Sequence, residues 1–185
     1  MNLSKETIIL GIDPGTTVMG FGVIKIVNNK MILLDIGAIK FSALKNHEQK
    51  LKEIYDVMIS IIDKHHPDHL AIEAQFFGKN VQSMLKLGRA QGVAIAAALS
   101  REIPFTEYAP KKVKMSITGN GNASKEQVAK MLQTLLNTKQ LPEPLDATDG
   151  LAAAVCHHFQ GGNKGEGKKY SGWDAFVKQN PKKTK

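Results

Sequence analysis

Four acidic residues in this chain stand where an acid calls for a partner. Asp13 ends the apolar run Ile8-Ile9-Leu10-Gly11-Ile12 and is followed at once by the turn residues Pro14-Gly15. Glu73 ends a second apolar run, Leu70-Ala71-Ile72. Asp146 and Asp149 are three residues apart at the head of an alanine-rich stretch, a spacing that puts both on one face of a helix's first turn. Acidic side chains are almost never fully buried unless paired. Two like charges ~4 Å apart repel by about 1 kcal/mol in water and about 4 kcal/mol at an effective dielectric of 20. Four such groups brought together need cations. Hard oxygen ligands select Mg²⁺ or Mn²⁺, and two such ions ~3.5–4 Å apart make a phosphoryl-transfer centre. Taken singly, Asp146 or Asp149 reads as a helix cap or first-turn acid, and Asp13 as a turn residue. The chemistry therefore depends on a fold that gathers all four.

Hydrophobic patterning predicts that fold. Strands over 7–13, 20–27 and 31–41 come first, with Asn28-Asn29-Lys30 as a tight connection, which favours an antiparallel meander. A helix over about 47–65 places Leu51, Ile54, Tyr55, Met58, Ile61 and Ile62 on one face, and Pro67 ends it. The strand that carries Glu73 follows, then a helix over about 80–100 whose glycines and alanines suit close packing on a sheet. A fifth strand over 103–108 and a short helix from Pro110 come next, and Ser124-Lys125-Glu126-Gln127 has the capping-box form. The last helix is expected over about 145–158, where His157 and His158 as imidazolium would suit its C-terminal dipole. Strands three to five are separated by helical crossovers and so pair in parallel. The expectation is an α/β fold, a five-stranded mixed sheet flanked by helices, with the Asp13 and Glu73 strands adjacent.

The segments Gly11-Ile12-Asp13-Pro14-Gly15, Ala71-Ile72-Glu73, Lys86-Leu87-Gly88-Arg89-Ala90-Gln91-Gly92 and Asp146-Ala147-Thr148-Asp149 resemble the RuvC family of Holliday-junction resolvases, in register from about residue 7 to 158. The resemblance implies an RNase H-like fold, a homodimer, and two Mg²⁺ ions per active site, with Mn²⁺ as a substitute. It implies an endodeoxyribonuclease of homologous recombination and DNA repair, which resolves four-way junction DNA by paired symmetric nicks and works with a branch-migration helicase complex. By position, Asp13, Glu73, Asp146 and Asp149 match the family's catalytic, metal-holding acids, with Asp13 as the bridge between the ions. Phe76 matches the aromatic used at the junction centre, and Lys114 and Lys125 match functionally important lysines. Thr17 departs from the pattern, since many members carry a basic residue there.

Residue chemistry adds to this list. Phe76 and Phe77 follow the Glu73 strand directly, where an aromatic ring stacks on an unpaired base or else covers the core. Lys111, Lys112, Lys114 and Lys125 bracket the loop Gly119-Asn120-Gly121-Asn122 and suit phosphate neutralisation, with Lys125 also placed to act on the scissile phosphate. Arg89, inside the third segment, is a further candidate DNA contact. His65, His66 and His69 lack metal-ligand spacing, and the loop glycines lack the spacing of a phosphate-binding P-loop.

Composition sets the limits. Of 185 residues 42% are hydrophobic and 23% charged, as in an ordinary globular domain, and no stretch approaches the ~20 apolar residues of a membrane span. The single cysteine, Cys156, excludes an internal disulfide and fits a cytoplasmic protein. Residues 161–185 hold seven lysines against Glu166 and Asp174, a net charge of +5, which leaves +3 for residues 1–160. The expected organisation is a nuclease domain over 1–160 and a basic, disordered tail over 161–185. One rival shares the opening stretch: Gly-Ile-Asp-x-Gly-Thr-Thr also resembles the phosphate loop of the actin, Hsp70 and sugar-kinase ATPases, which need two such lobes. A non-catalytic junction-binding module is the other rival.

Overall fold

A computed structural model describes residues 6–41, 46–75, 80–138, 141 and 145–162. Phe76, Phe77 and the segment from 163 to 185 lie outside the described residues. The elements follow the expected order: β1 (Thr7–Asp13), β2 (Val18–Val27), β3 (Lys30–Lys40), α1 (His47–His65), β4 (His69–Glu73), α2 (Val81–Leu99), β5 (Phe105–Tyr108), α3 (Pro110–Thr118), α4 (Lys125–Leu135) and α5 (Asp146–Gly162). They build one sheet of order β3-β2-β1-β4-β5, antiparallel across β1–β2 and β2–β3 and parallel across β1–β4 and β4–β5.

Local sequence explains the turns. The β2–β3 hairpin closes with both Asn28 and Asn29 at positive φ, the conformation that a tight two-residue turn requires and that asparagine tolerates. Asn46 caps α1 by accepting from the Gln49 N–H at 2.8 Å, and His66 ends that helix in a left-handed conformation before Pro67. The capping box is present at α4: Ser124 Oγ accepts from the Gln127 N–H, and Gln127 Oε1 accepts from the Ser124 N–H.

Strand alternation sorts the side chains into two cores. Leu10, Ile12, Leu70 and Ile72 face α1 and α2 and pack with Ile54, Met58, Ala94 and Ala97. Ile9, Ile24 and Ala71 face the other way, toward α3, α4 and α5. Period two then places Asp13 on the same face as Ile9 and Gly11, and Glu73 on the same face as Ala71. β1 and β4 register as Leu10↔Leu70 and Ile12↔Ile72, so both acids emerge side by side on the α5 face.

Glycine decides how closely α5 approaches. A Cβ on Gly11 would meet the Gly150 carbonyl oxygen at 2.2 Å, and one on Gly22 would meet Leu151 Cα at 2.5 Å. Gly20 faces the Asp146 carbonyl in the same way, and Gly150 on the helix faces Gly20 and Phe21. The helix therefore lies backbone to backbone on β1 and β2. Sequence reasoning assigned such close packing to α2. There only the alanines are buried, while Gly88 and Gly92 face open space.

Some boundaries also differ. β2 starts at Val18, where it pairs with Lys40, and β5 is shorter than expected. α5 runs on through Gly162, so His157 and His158 are not at its end. His157 Nδ1 instead meets the Tyr108 hydroxyl at 2.9 Å, and its ring lies 5.0 Å from that of His69. Burial holds the His158 imidazole below its ordinary range and so favours the neutral ring over the expected imidazolium. At this end of the sheet Thr7, His69, His157 and Gly161 help line a cavity of about 360 Å³. Among the described residues no helix is long and apolar enough to cross a membrane.

Candidate active site

The β1 and β4 ends, the α5 N-terminus and the starts of α3 and α4 enclose a cleft of about 210 Å³ lined by Asp13, Glu73, Lys114, Lys125 and Asp149, among others. Its apolar walls are Pro110, Val113, Val128 and Ala152, which sequence reasoning did not single out. The Gln75 side-chain amide donates to the Pro14 carbonyl at 3.1 Å and ties the end of β4 to the turn after β1.

Burial and like charge act together on the two strand-end acids. Burial first, then repulsion from Asp149 and Asp146, pushes the Asp13 carboxyl up to about 6, although Lys125 opposes the shift. Glu73 is pushed up to about 8 by burial and by Asp13 and Asp149, against the pull of Lys125 and Lys114. Lys125 partly offsets this excess of negative charge. Its Nζ donates to Asp149 Oδ2 at 2.6 Å and to Asp146 Oδ1 at 3.3 Å. Burial alone would lower the Lys125 ammonium, but these two ion pairs outweigh it and hold it above its ordinary range.

All four predicted acids thus meet at one end of the sheet, with Asp146 at the rim and tied in through Lys125. Among the described residues no three acidic or imidazole groups stand in the geometry of a metal site. The ammonium already sits between Asp146 and Asp149, where a cation is wanted. The donor set nonetheless fits Mg²⁺ or Mn²⁺: four hard carboxylates, two of them held above the ordinary carboxylate range by burial and mutual repulsion that a bound cation would relieve.

The predicted DNA contacts divide. Lys114 lines the cleft, its Nζ held by the Ala123 carbonyl at 2.8 Å. Lys111 and Lys112 are exposed on α3 and do not line the cleft; Lys112 Nζ lies 5.3 Å from the centre of the Tyr108 ring. Arg89 is exposed on α2, away from the cleft lining. Thr17 is exposed, and its carbonyl accepts from the Phe41 N–H at 2.8 Å. Cys156 is fully buried, which pushes its thiol up and leaves it a packing residue.

Comparison with known proteins identifies the family and the fold. The family model "Crossover junction endodeoxyribonuclease RuvC" matches residues 9–157. Crossover junction endodeoxyribonucleases RuvC of Christiangramia forsetii and Bacteroides fragilis are 67% and 58% identical over 181 and 183 residues. Each match covers 98% of this chain, with 94% and 97% of the respective relative. Among solved structures, Thermus thermophilus RuvC aligns with a TM-score of 0.76 at 32% identity, over 84% of this chain and 95% of that one. T. thermophilus RuvC in complex with Holliday junction substrate gives a TM-score of 0.78 at 32% identity, over 84% and 94%. The mixed five-stranded sheet with helices on both faces is the RNase H-like architecture, and the chain belongs to the RuvC family of crossover junction endodeoxyribonucleases.

Proposed function

We propose that the chain resolves four-way DNA junctions in recombination and repair, placing paired symmetric nicks by Mg²⁺-dependent phosphodiester hydrolysis. The observation that carries this reading is the convergence of Asp13, Glu73 and Asp149, with Asp146 at the rim, on one cleft beside two lysines. The four carboxylates would hold the ions, two per active site, with Mn²⁺ able to replace Mg²⁺. Such a pair supplies an activated water nucleophile and stabilises the departing 3′ oxygen, leaving 3′-hydroxyl and 5′-phosphate ends. The protein's own share is positioning and charge. Lys125 exchanges its acidic partners for the scissile phosphate and offsets charge there as the bond breaks. Lys114, steadied by the Ala123 carbonyl, offers a second cation to the phosphate, and the apolar walls exclude bulk water.

Paired nicking on a two-fold junction suits a two-fold dimer. Support for it lies on α2, where Val81, Leu85 and Leu99 are half or more exposed. At 100° per residue they share one stripe with Gly88 and Gly92, over which a second helix can approach closely. Docking to a branch-migration helicase complex and a cytoplasmic setting rest on family membership and, for the latter, on the single buried cysteine.

The test is Asp13→Asn. This variant is expected to bind a synthetic four-way junction about as tightly as wild type and to lose nicking in Mg²⁺. Near wild-type cleavage by the variant would remove Asp13 from the mechanism.

A further inference from the structure

A second groove, of about 420 Å³, opens on the other side of the α4 N-terminus from the catalytic cleft. Thr118, Asn120, Gln127, Lys130, Met131 and Thr134 line it, together with Ala123. The two spaces are neighbours: Val128 and Lys125 face the cleft while Gln127 faces the groove. Lys114, which lines the cleft, donates to the carbonyl of Ala123, which lines the groove.

Hydrogen bonding within the groove leaves it one-sided. The Asn120 side-chain oxygen accepts from the Asn122 N–H at 3.0 Å. The Gln127 side-chain oxygen is likewise engaged by the Ser124 N–H at 2.9 Å. With both oxygens used inward, the two amides have their NH₂ groups to offer. The Thr118 hydroxyl shares its one proton between the Lys114 and Asn120 carbonyls and accepts from the Asn120 N–H, and the Thr134 hydroxyl donates to the Lys130 carbonyl, so neither has a proton left for a ligand. Lys130 adds an ammonium at an exposed position, and among the described residues no carboxylate lines the groove. Ala123 and the half-exposed Met131 give an apolar floor. Two amide donors and one cation over an apolar floor match a chain of anionic, acceptor-only groups joined by sugars. Lys125 and Lys130 are five residues apart on one helix, ~7.5 Å along its axis. They lie about 140° apart around it, so a strand whose phosphate meets Lys125 in the cleft reaches Lys130 in the groove by crossing the N-terminal half of α4.

We infer that this groove binds the phosphodiester backbone of the junction strand that flanks the nick, with Lys130 as its phosphate contact. The inference rests on the junction-cleaving reading and extends it to residues outside the cleft.

Lys130→Gln tests it in the full chain, with binding to a four-way junction measured in EDTA across a salt series. The salt slope is expected to fall by about one and affinity to drop about equally for junctions of different sequence. Lys130→Arg keeps the slope, and Lys30→Gln, at the remote β2–β3 hairpin, leaves it unchanged. Single methylphosphonates placed along the flanking strand locate the contact: one position weakens wild type but not Lys130→Gln, because both changes remove the same interaction. An unaltered slope in Lys130→Gln, or methylphosphonate effects that simply add at every position, overturns the groove assignment. Failure of wild type to nick the junction in Mg²⁺ would instead overturn the junction reading, so the two failures are distinguishable.

Discussion

Lys125 does two jobs that conflict, and the conflict defines the site at the scale of single residues. Without another cation it bonds Asp149 and Asp146 and lowers the repulsion felt by Asp13 and Glu73. To act on a phosphate it must leave them. The remaining strain falls mainly on Glu73, whose folded value of about 8 lies well above the ordinary 4.5. Between those values the folded state holds a proton that the unfolded chain has lost. Stability in EDTA therefore falls as pH rises from about 4.5 to about 8. Glu73→Gln is expected to raise the melting temperature in EDTA at pH 8 by about 3–6 °C, roughly 1–2 kcal/mol, and to give little gain at pH 4. Thermal melts at the two pH values decide it: a variant that melts lower than wild type at pH 8 would show Glu73 to be a structural support. Asp13 and Glu73 were legible because an acid closing an apolar strand contradicts burial preference, and Asp146 and Asp149 because their spacing puts both on one face of a helix's first turn. The opening stretch alone left an ATPase phosphate loop in play; Glu73 and the Asp146/Asp149 pair, now found at the same sheet end, and the family match over residues 9–157 remove it. The engagement of Lys125 was not legible, since α4 and α5 are brought together only by tertiary packing.

Among the elements, α5 sets the geometry of the site. It brings Asp146 and Asp149 to the strand ends because Gly11, Gly20 and Gly22 clear the β1–β2 surface beneath it. Gly22→Ala would push a methyl into the Leu151 backbone, which cannot yield as a side-chain tip can. Overpacking of this kind costs about 3 kcal/mol. The variant should melt about 6–12 °C lower and nick poorly at temperatures where circular dichroism shows it still folded. Wild-type nicking by Gly22→Ala would mean that α5 can shift without disturbing the acids. Element order, strand pairing, the hairpin and the capping box were readable, because each is written in a local pattern of period or cap chemistry. What the glycines do was not. A glycine's role depends on which element crosses above it, so α2 looked like the closely packed helix when α5 is. The same limit applies to Asn120, Gln127 and Lys130, whose common groove exists only once α3 and α4 are side by side.

For the whole molecule, the sheet divides tasks between its faces. α3, α4 and α5 carry the cleft and groove on one side, while α2 on the other carries the exposed apolar stripe proposed above as the dimer surface. Leu85→Glu places a charge in that stripe and should shift sedimentation toward a monomer, with paired nicks giving way to single, uncoordinated ones. An unshifted dimer would put the interface elsewhere. The cavity shared by Thr7 and Gly161 has a different consequence. The start of β1 and the end of α5 sit together there, ~20 Å from Asp13 by the length of β1. The chain can therefore be rewired: a short linker from Gly162 to Thr7, with new ends cut between Asn28 and Asn29, alters connectivity at the blunt end alone. Such a circular permutant is expected to keep wild-type nicking and to melt within a few degrees of the parent. A permutant that folds but does not cut would show that the blunt end is coupled to the cleft.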